Sequence, residues 1–316
     1  MIVTTENETN QEELNLKPLL ARSVVNSLGA GMVSPFTGAY AVQLGASSTD
    51  MAWFQSSANL SNNLMQIVWG RLSDRLKRRI PFIFLGTFIV ATLWIPMMMV
   101  ANATQLIVLL AFQALLGSMA TPAWTALIGD LVPSSKLGRV NALINKWASI
   151  GGLIATLASG ILMVMATGGS VQGIFFIPLV TAATLGIAAS LVTLYIKEPK
   201  KALQETKERG ASSILSIFGL AAKTTPFARY CTVAAIFEFF MSFSWPLFSI
   251  TQIKILHADM LQIALLSVVQ TIVTIAFQNW AGKIADTKGR KPLLIFFRLS
   301  LITVPVAYAL SPNMET

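Results

Sequence analysis

Charge is scarce in this 316-residue chain: Asp, Glu, Lys and Arg make up 12% of it, against 54% hydrophobic residues. A soluble domain of this size carries about a quarter charged residues, so there is too little polar material to cover a water-exposed surface. Cysteine and histidine are scarcer still, with one each, Cys231 and His257. A disulfide framework is thereby excluded, and a zinc or thiolate cluster has no ligand set to draw on. No phosphate loop of the GxxxxGK[ST] type occurs, which argues against an ATP-driven pump. No paired carboxylates or His-rich constellation fall at membrane depth, which argues against an integral membrane enzyme. No cofactor or metal is expected. The opening MIVTTENETNQEELNLK lacks the basic start and apolar core of a secretory signal; with Glu6, Glu8, Glu12 and Glu13 it reads as a short disordered tail over 1–17.

What the chain does have is long apolar runs. About 20 mostly apolar residues cross the hydrocarbon of a bilayer as a helix, and nine such stretches are expected: Leu19–Gln43, Met51–Trp69, Ile80–Val100, Gln105–Leu131, Asn141–Ala166, Gly173–Ile196, Phe227–Ile253, Met260–Ala281 and Leu293–Leu310. One long connection, 197–226, separates the sixth from the seventh, and its ASSILSIFGLAAK portion suggests an interfacial helix. Net charge is +9, which in a soluble protein would point to nucleic acid. Here every Lys and Arg except Lys254 and Arg298, 21 of 23, falls on one side of the spans. Positive charge stays cytoplasmic, so the expected partner is the lipid bilayer rather than nucleic acid. The chain is expected to be a multi-pass protein of the cell membrane with its N-terminus in the cytoplasm.

Two turns repeat. GRLSDRLKRRIP at 70–81 and GKIADTKGRKP at 282–292 lie 212 residues apart, each after the second span of its half. Internal duplication is a build plan of transporters, with the substrate where the halves meet. These turns resemble the signature loops of the major facilitator superfamily, and the basic connection opening with Lys197-Glu198-Pro199 is similar to that family's central loop. The resemblance implies an all-α integral membrane fold: a six-helix N-terminal bundle over 18–196, the central loop 197–226, and helices 7–9 of a C-terminal bundle over 227–316. At the repeat spacing a tenth span would start near residue 316, so the chain is expected to stop about three helices short of the family's twelve. It further implies a secondary active transporter that moves a small-molecule substrate by alternating access, coupled to a proton or Na+. A non-transporting sensor on the same fold is the alternative.

The resemblance also gives roles to the loop residues. Asp74 and Asp286 would sit against helix N-termini in the opposite half, Asp286 against the fifth span, where a carboxylate gains about 0.3–1 kcal/mol from exposed N–H groups and the dipole. Gly70 and Gly282 open the loops. Arg78 follows the first Asp by four residues, as Arg290 follows the second, and Arg78 would pair with Asp130 at the end of the fourth span. Arg75 and Arg139 belong to the same basic cluster. Gly289 keeps the family's turn glycine, whereas the first loop has Lys77.

A charge inside the membrane costs about 2.5–3.5 kcal/mol on insertion scales and therefore faces a cavity or a partner. Glu238, near the middle of the seventh span, is the candidate for proton or cation coupling or for binding a cationic substrate, with a hydrogen-bonded structural Glu as the alternative. Arg298 in the ninth span is expected to snorkel to the cytoplasmic surface. Asn26 and Ser34 lie on one face of the first span with Ser23 and Thr37. Gln55 and Asn59 head a polar stripe at helical spacing in the second, which either lines water or glues helices together. In the fourth span, Gln113 and Trp124 are further cavity candidates. Gly151, Gly152 and Gly160 in the fifth span would allow close helix packing. Trp69, Trp147 and Trp280 fit interfacial anchoring, and the Asn102-Ala103-Thr104 glycosylation pattern sits in a loop too short to carry it.

Overall fold

The computed structural model describes residues 2–76, 78–133, 136–166, 169–196, 198 and 225–311. The side chains of residues 2–15, 61, 62, 225, 226, 279, 282, 283, 285, 286, 288 and 290 lie outside the described set. The expected interfacial helix of the central loop, between 199 and 224, lies outside it too.

Backbone groups in hydrocarbon must find partners within their own segment, which leaves helices as the solution for isolated apolar stretches. Twelve α-helices are described: α1 Ile2–Val33, α2 Thr37–Gln43, α3 Ser48–Leu76, α4 Ile80–Met97, α5 Ala103–Gly117, α6 Ala120–Leu131, α7 Leu137–Met165, α8 Val171–Thr193, α9 Thr225–Ile250, α10 Met260–Lys288, α11 Arg290–Leu301 and α12 Thr303–Leu310. Helix α1 starts at Ile2, inside the tail for which the sequence suggests disorder. Several spans are interrupted where proline removes an N–H that would bond four residues back. Pro35 opens the 3-10 turn Ser34–Phe36 between α1 and α2. Pro122 would have bonded Ser118, and the fourth span breaks there between α5 and α6. Pro305 stands in the same relation to Leu301, at the break between α11 and α12.

Among the described residues seven stretches are long and apolar enough to cross a membrane: Ile80–Met97, Ala103–Leu131, Leu137–Met165, Val171–Thr193, Phe227–Ile255, Met260–Gln278 and Lys291–Leu310. The first two expected spans fall below that threshold because they carry the most polar residues, including the α3 stripe of Gln55, Asn59, Asn62 and Gln66.

In the first half, α1 packs on α7 and α8, α4 on α8, and α3 on α5. Small residues bring α1 and α7 close enough for side chains to reach backbone. A Cβ on Gly31 would lie 2.5 Å from the Gly152 carbonyl oxygen. Thr156 Oγ1 donates to the Gly31 carbonyl at 3.0 Å, and Ser159 Oγ to that of Met32 at 2.6 Å. At the end away from the basic turns, Phe36, Tyr40, Met97 and Phe175 are fully buried. There Tyr40 stacks on Phe175 with ring centroids 4.2 Å apart, and its hydroxyl donates to the Met97 carbonyl at 2.9 Å. At the basic end Leu19, Ile83, Leu127, Ile144 and Ile196 form a second cluster. Trp69, expected as an interfacial anchor, donates from Nε1 to the Leu115 carbonyl at 3.2 Å and holds α3 to α5. Asn102 accepts from Gln105 N at 2.9 Å while Gln105 Oε1 accepts from Ala101 N at 2.9 Å, a reciprocal cap that starts α5.

Helices α9 and α10 lie against the first half, α9 on α3 and α10 on α7. The span Lys291–Leu310 buries none of its residues, and its apolar side chains face outward.

Candidate functional site

Two adjoining cavities run through the first half. One, of about 360 Å³, is lined by α1, α4, α6 and α7, with Arg22, Asn26, Thr87, Trp124 and Asn145 on its wall. The other, of about 480 Å³, lies toward the opposite end, between α1, α4, α5 and α8, with Asn26, Ser34, Thr37, Trp94 and Gln113 on its wall. Asn26, Thr87, Val90 and Gly117 line both, so the two cavities share a wall at Asn26. Both volumes fall in the range of small-molecule sites, about 300–1,000 Å³. Among the described residues neither wall includes an Asp or Glu.

The cavities thus bring together six residues singled out from the sequence: Ser23, Asn26, Ser34, Thr37, Gln113 and Trp124. Gln113 is buried and its Nε2 donates to the Val90 carbonyl at 3.0 Å, so the amide also ties α5 to α4. Gln55 and Asn59 are not on either wall; Gln55 is half-buried and Asn59 exposed on α3. Glu238 stands apart, in α9, where Arg298 Nη2 of α11 approaches Oε1 at 3.5 Å. Arg298 also lies over the Phe237 ring, 4.5 Å from its centroid. It therefore turns toward α9, where a carboxylate and an aromatic face are its neighbours.

Arg22 was not a sequence candidate, because one basic residue a turn beyond Lys17 reads as an orientation charge. In the structure it is 6% exposed. Nη2 donates to Thr87 Oγ1 at 3.1 Å, the guanidinium carbon lies 4.1 Å from the Trp124 ring centroid, and Nε has no hydrogen-bond partner. Thr87 is the eighth residue of α4, so at 1.5 Å per residue this group sits about 10 Å in from the basic end.

At that basic end the pairing differs from expectation by one residue. Arg79, not Arg78, reaches the acids: its Nη1 pairs with Asp74 Oδ1 and donates to Ser73 Oγ at 2.9 Å, and its Nε lies 3.5 Å from Asp130 Oδ2. Arg79 is the residue before α4 and turns back over the ends of α3 and α6, while Arg78 points outward and is exposed. Arg75 and Arg139 are exposed as well. Glu198, from beyond α8, caps α4: its Oε1 accepts from the backbone N–H of Arg79 and from that of Ile80 at 2.6 Å. A carboxylate at a helix N-terminus satisfies orphan donors and meets the positive end of the dipole. In the second loop Gly289 adopts φ +82° and ψ 170°, a conformation open to glycine and strained for other residues. Gly282 lies within α10, whereas the Asp286 and Arg290 side chains, and Lys77, lie outside the described set. A Cβ at Gly70 would make only an ordinary contact, 3.5 Å from Pro122. Among the described residues no three His, Cys, Asp or Glu side chains come together to hold a metal ion.

The two halves meet closely at the end opposite the basic turns. A Cβ at Gly38 would lie 2.2 Å from Ser249 Oγ, and one at Gly160 would lie 2.6 Å from Ala264 Cβ. Lys254 Nζ donates to the Ala46 carbonyl at 3.3 Å. Met260, Ile263 and Ala264 of α10 share one buried cluster with Met32, Phe36 and Met163 of the first half.

The sequence profile of the Major Facilitator Superfamily matches residues 19–316. An uncharacterised MFS-type transporter of Methanocaldococcus jannaschii is 25% identical over 197 residues, 62% of this chain and 49% of the relative. The match thus spans about half that relative's length. The structure of a bacterial homolog of the human lysosomal transporter Spinster, inward-facing and unoccupied, is 16% identical with a TM-score of 0.65 over 88% of this chain and 63% of the other. That of the nucleoside transporter NupG is 17% identical, with a TM-score of 0.62 over 87% and 69%. At these identities the two structures are alike in fold.

Proposed function

The chain belongs to the major facilitator superfamily, and from that membership we propose that it acts as a secondary active transporter of a small solute, by alternating access. The observation that carries this reading is the contrast between the ends. The halves are packed together at one end through Gly38, Gly160 and Lys254, while two adjoining cavities, one beside Ser34 and the next beside Arg22, lie between there and the other end. A closure of that kind at one end, traded for closure at the other, carries solute across. On this reading the basic turns and the N-terminus lie in the cytoplasm of a cell membrane, and the state described is open inward. The Arg79–Asp74–Asp130 cluster holds the cytoplasmic ends of α3, α4 and α6 as one unit while the halves move.

Ion coupling is assigned to Glu238. Its carboxylate faces Arg298, so protonation would discharge the pair and loosen α9 from α11. Purified protein in proteoliposomes tests both levels. Counterflow of one labelled solute from a chemically varied panel is the expected result, with an inward proton or Na+ gradient driving accumulation. Glu238→Gln should retain counterflow, which needs no gradient, and lose the gradient-driven accumulation. Saturable binding of a solute without any flux would favour a sensor on this fold.

A further inference from the structure

We propose that Arg22 is the recognition residue for an anion, and that the ligand of this cavity is a small organic carboxylate or phosphate. This rests on the transporter reading for the ligand's identity as substrate, but not for its binding. A guanidinium held among helices in the membrane is retained at a cost unless it is paired. Arg22 is buried, and one neutral hydroxyl, from Thr87, is its hydrogen-bond partner. Among the described residues, the acids toward its end of the bundle are already engaged: Asp74 and Asp130 by Arg79, and Glu198 by the N–H groups that open α4. Among the described residues the cavity it borders contains no carboxylate, and Arg22 is the charged side chain on its wall.

The surroundings suit an anion with an apolar or aromatic body. The guanidinium, with its buried Nε left without a partner, has the planar geometry that matches carboxylate or phosphate oxygens. The guanidinium lies over the face of Trp124. Asn26 and Asn145 carry amide donors on the same wall. Thr121 and Asn145 are exposed, so the space opens between α6 and α7. A headgroup of an anionic lipid reaching through that gap would present the same chemistry as a free anion.

The probes are benzoate, phenyl phosphate and the neutral isostere benzamide, added up to about 10 mM, where a ligand of about 1 mM Kd is nearly saturating. Purified protein in phosphatidylcholine nanodiscs is followed by thermal unfolding and by tryptophan emission, since an anion drawn to Arg22 shifts the guanidinium on Trp124. Benzoate or phenyl phosphate should raise the melting temperature saturably and alter the emission, and benzamide should do neither. Arg22→Lys should weaken the effect about 10- to 100-fold, the range of a lost charge-assisted fork. Arg22→Gln should abolish it, and Lys146→Gln, an exposed control, should leave it unchanged. Phosphatidylglycerol nanodiscs separate the sources: competition with benzoate identifies lipid as an occupant, and no competition a soluble anion. Equal effects of benzoate and benzamide, undiminished binding by Arg22→Gln, or silence of both anions would overturn the proposal. Should Arg22→Gln fail to fold, the isostere comparison on the wild type and the lysine variant decide it. Flux of a neutral solute without anion binding would sink the inference and leave transport standing; anion binding without flux would do the reverse.

Discussion

Gly160→Ala tests the closed end of the molecule with a single methyl group. That methyl would lie 2.6 Å from Ala264 Cβ and 3.2 Å from the Met260 carbonyl oxygen. Carbon atoms prefer about 3.5–4.0 Å, so α7 and α10 must separate by about 1 Å, and neither neighbour is the tip of a flexible side chain. Overpacking of this kind costs typically 1–3 kcal/mol, which shifts the balance away from the closed arrangement by about 5- to 150-fold. A reporter is available in the contact between Lys254 Nζ and the Ala46 carbonyl, 3.3 Å apart. With Cys231→Ser as background, Ala46→Cys and Lys254→Cys report closure by cross-linking with a short bifunctional thiol reagent, which makes up for the reach of the lost lysine. Gly160→Ala should slow cross-linking by at least about 5-fold, and Ala264→Gly, which removes the opposing methyl, should restore it. Unchanged cross-linking in a folded Gly160→Ala protein, or no rescue by Ala264→Gly, would refute the claim that these helices seal that end.

The basic end makes further predictions. Arg79→Gln removes contacts to two acids and Ser73; with Asp74 half exposed, a loss of about 1–2 kcal/mol is expected in thermal unfolding, whereas Arg78→Gln should stay within about 0.5 kcal/mol. Glu198→Ala should cost about 0.5–2 kcal/mol as a lost cap, and Glu198→Gln less, because an acceptor oxygen remains. At the other end, Asp50 accepts from the Ser47 hydroxyl at 2.7 Å and the Ser47 N–H at 2.9 Å, and these bonds hold its carboxyl below the usual carboxylate range. A lowered pKa means the contribution is present above the ordinary value and lost as pH falls through the lowered one. The turn before α3 should therefore stay capped at about pH 5 and open only in stronger acid. A carboxyl-carbon NMR titration checks this, and Ser47→Ala should move the Asp50 pKa upward toward about 3.9.

Seven of the nine expected spans were legible because lipid imposes long apolar runs on the helices that cross it. Asn26, Ser34, Gln113 and Trp124 could be picked out for a related reason, since a polar or amphipathic side chain in an apolar helix is conspicuous. Partner choice was not legible. Arg78 and Arg79 are adjacent, and which one turns back toward Asp130 depends on where α4 begins. Glu198 finds its donors 118 residues away at Ile80, and Arg298 finds Glu238 across two helices. Arg22 was hidden among charges that set orientation; only its burial sets it apart. Nothing local in the sequence tells a basic residue at a helix end from one folded inward.

The break at Pro122 has a mechanical corollary. Helix α6 is a rod of 12 residues, about 18 Å long at 1.5 Å per residue, with Trp124 one turn from its cavity end and Asp130 near its far tip. Pivoting that rod by about 5° at the Ser118–Met119 gap displaces the tip by roughly 1.5 Å. Asp130 stands 3.5 Å from Arg79 Nε, so such a swing is enough to make or part that contact. A push on the indole of Trp124 that tilted this short lever would thus be felt at the Arg79–Asp130 contact at its far tip.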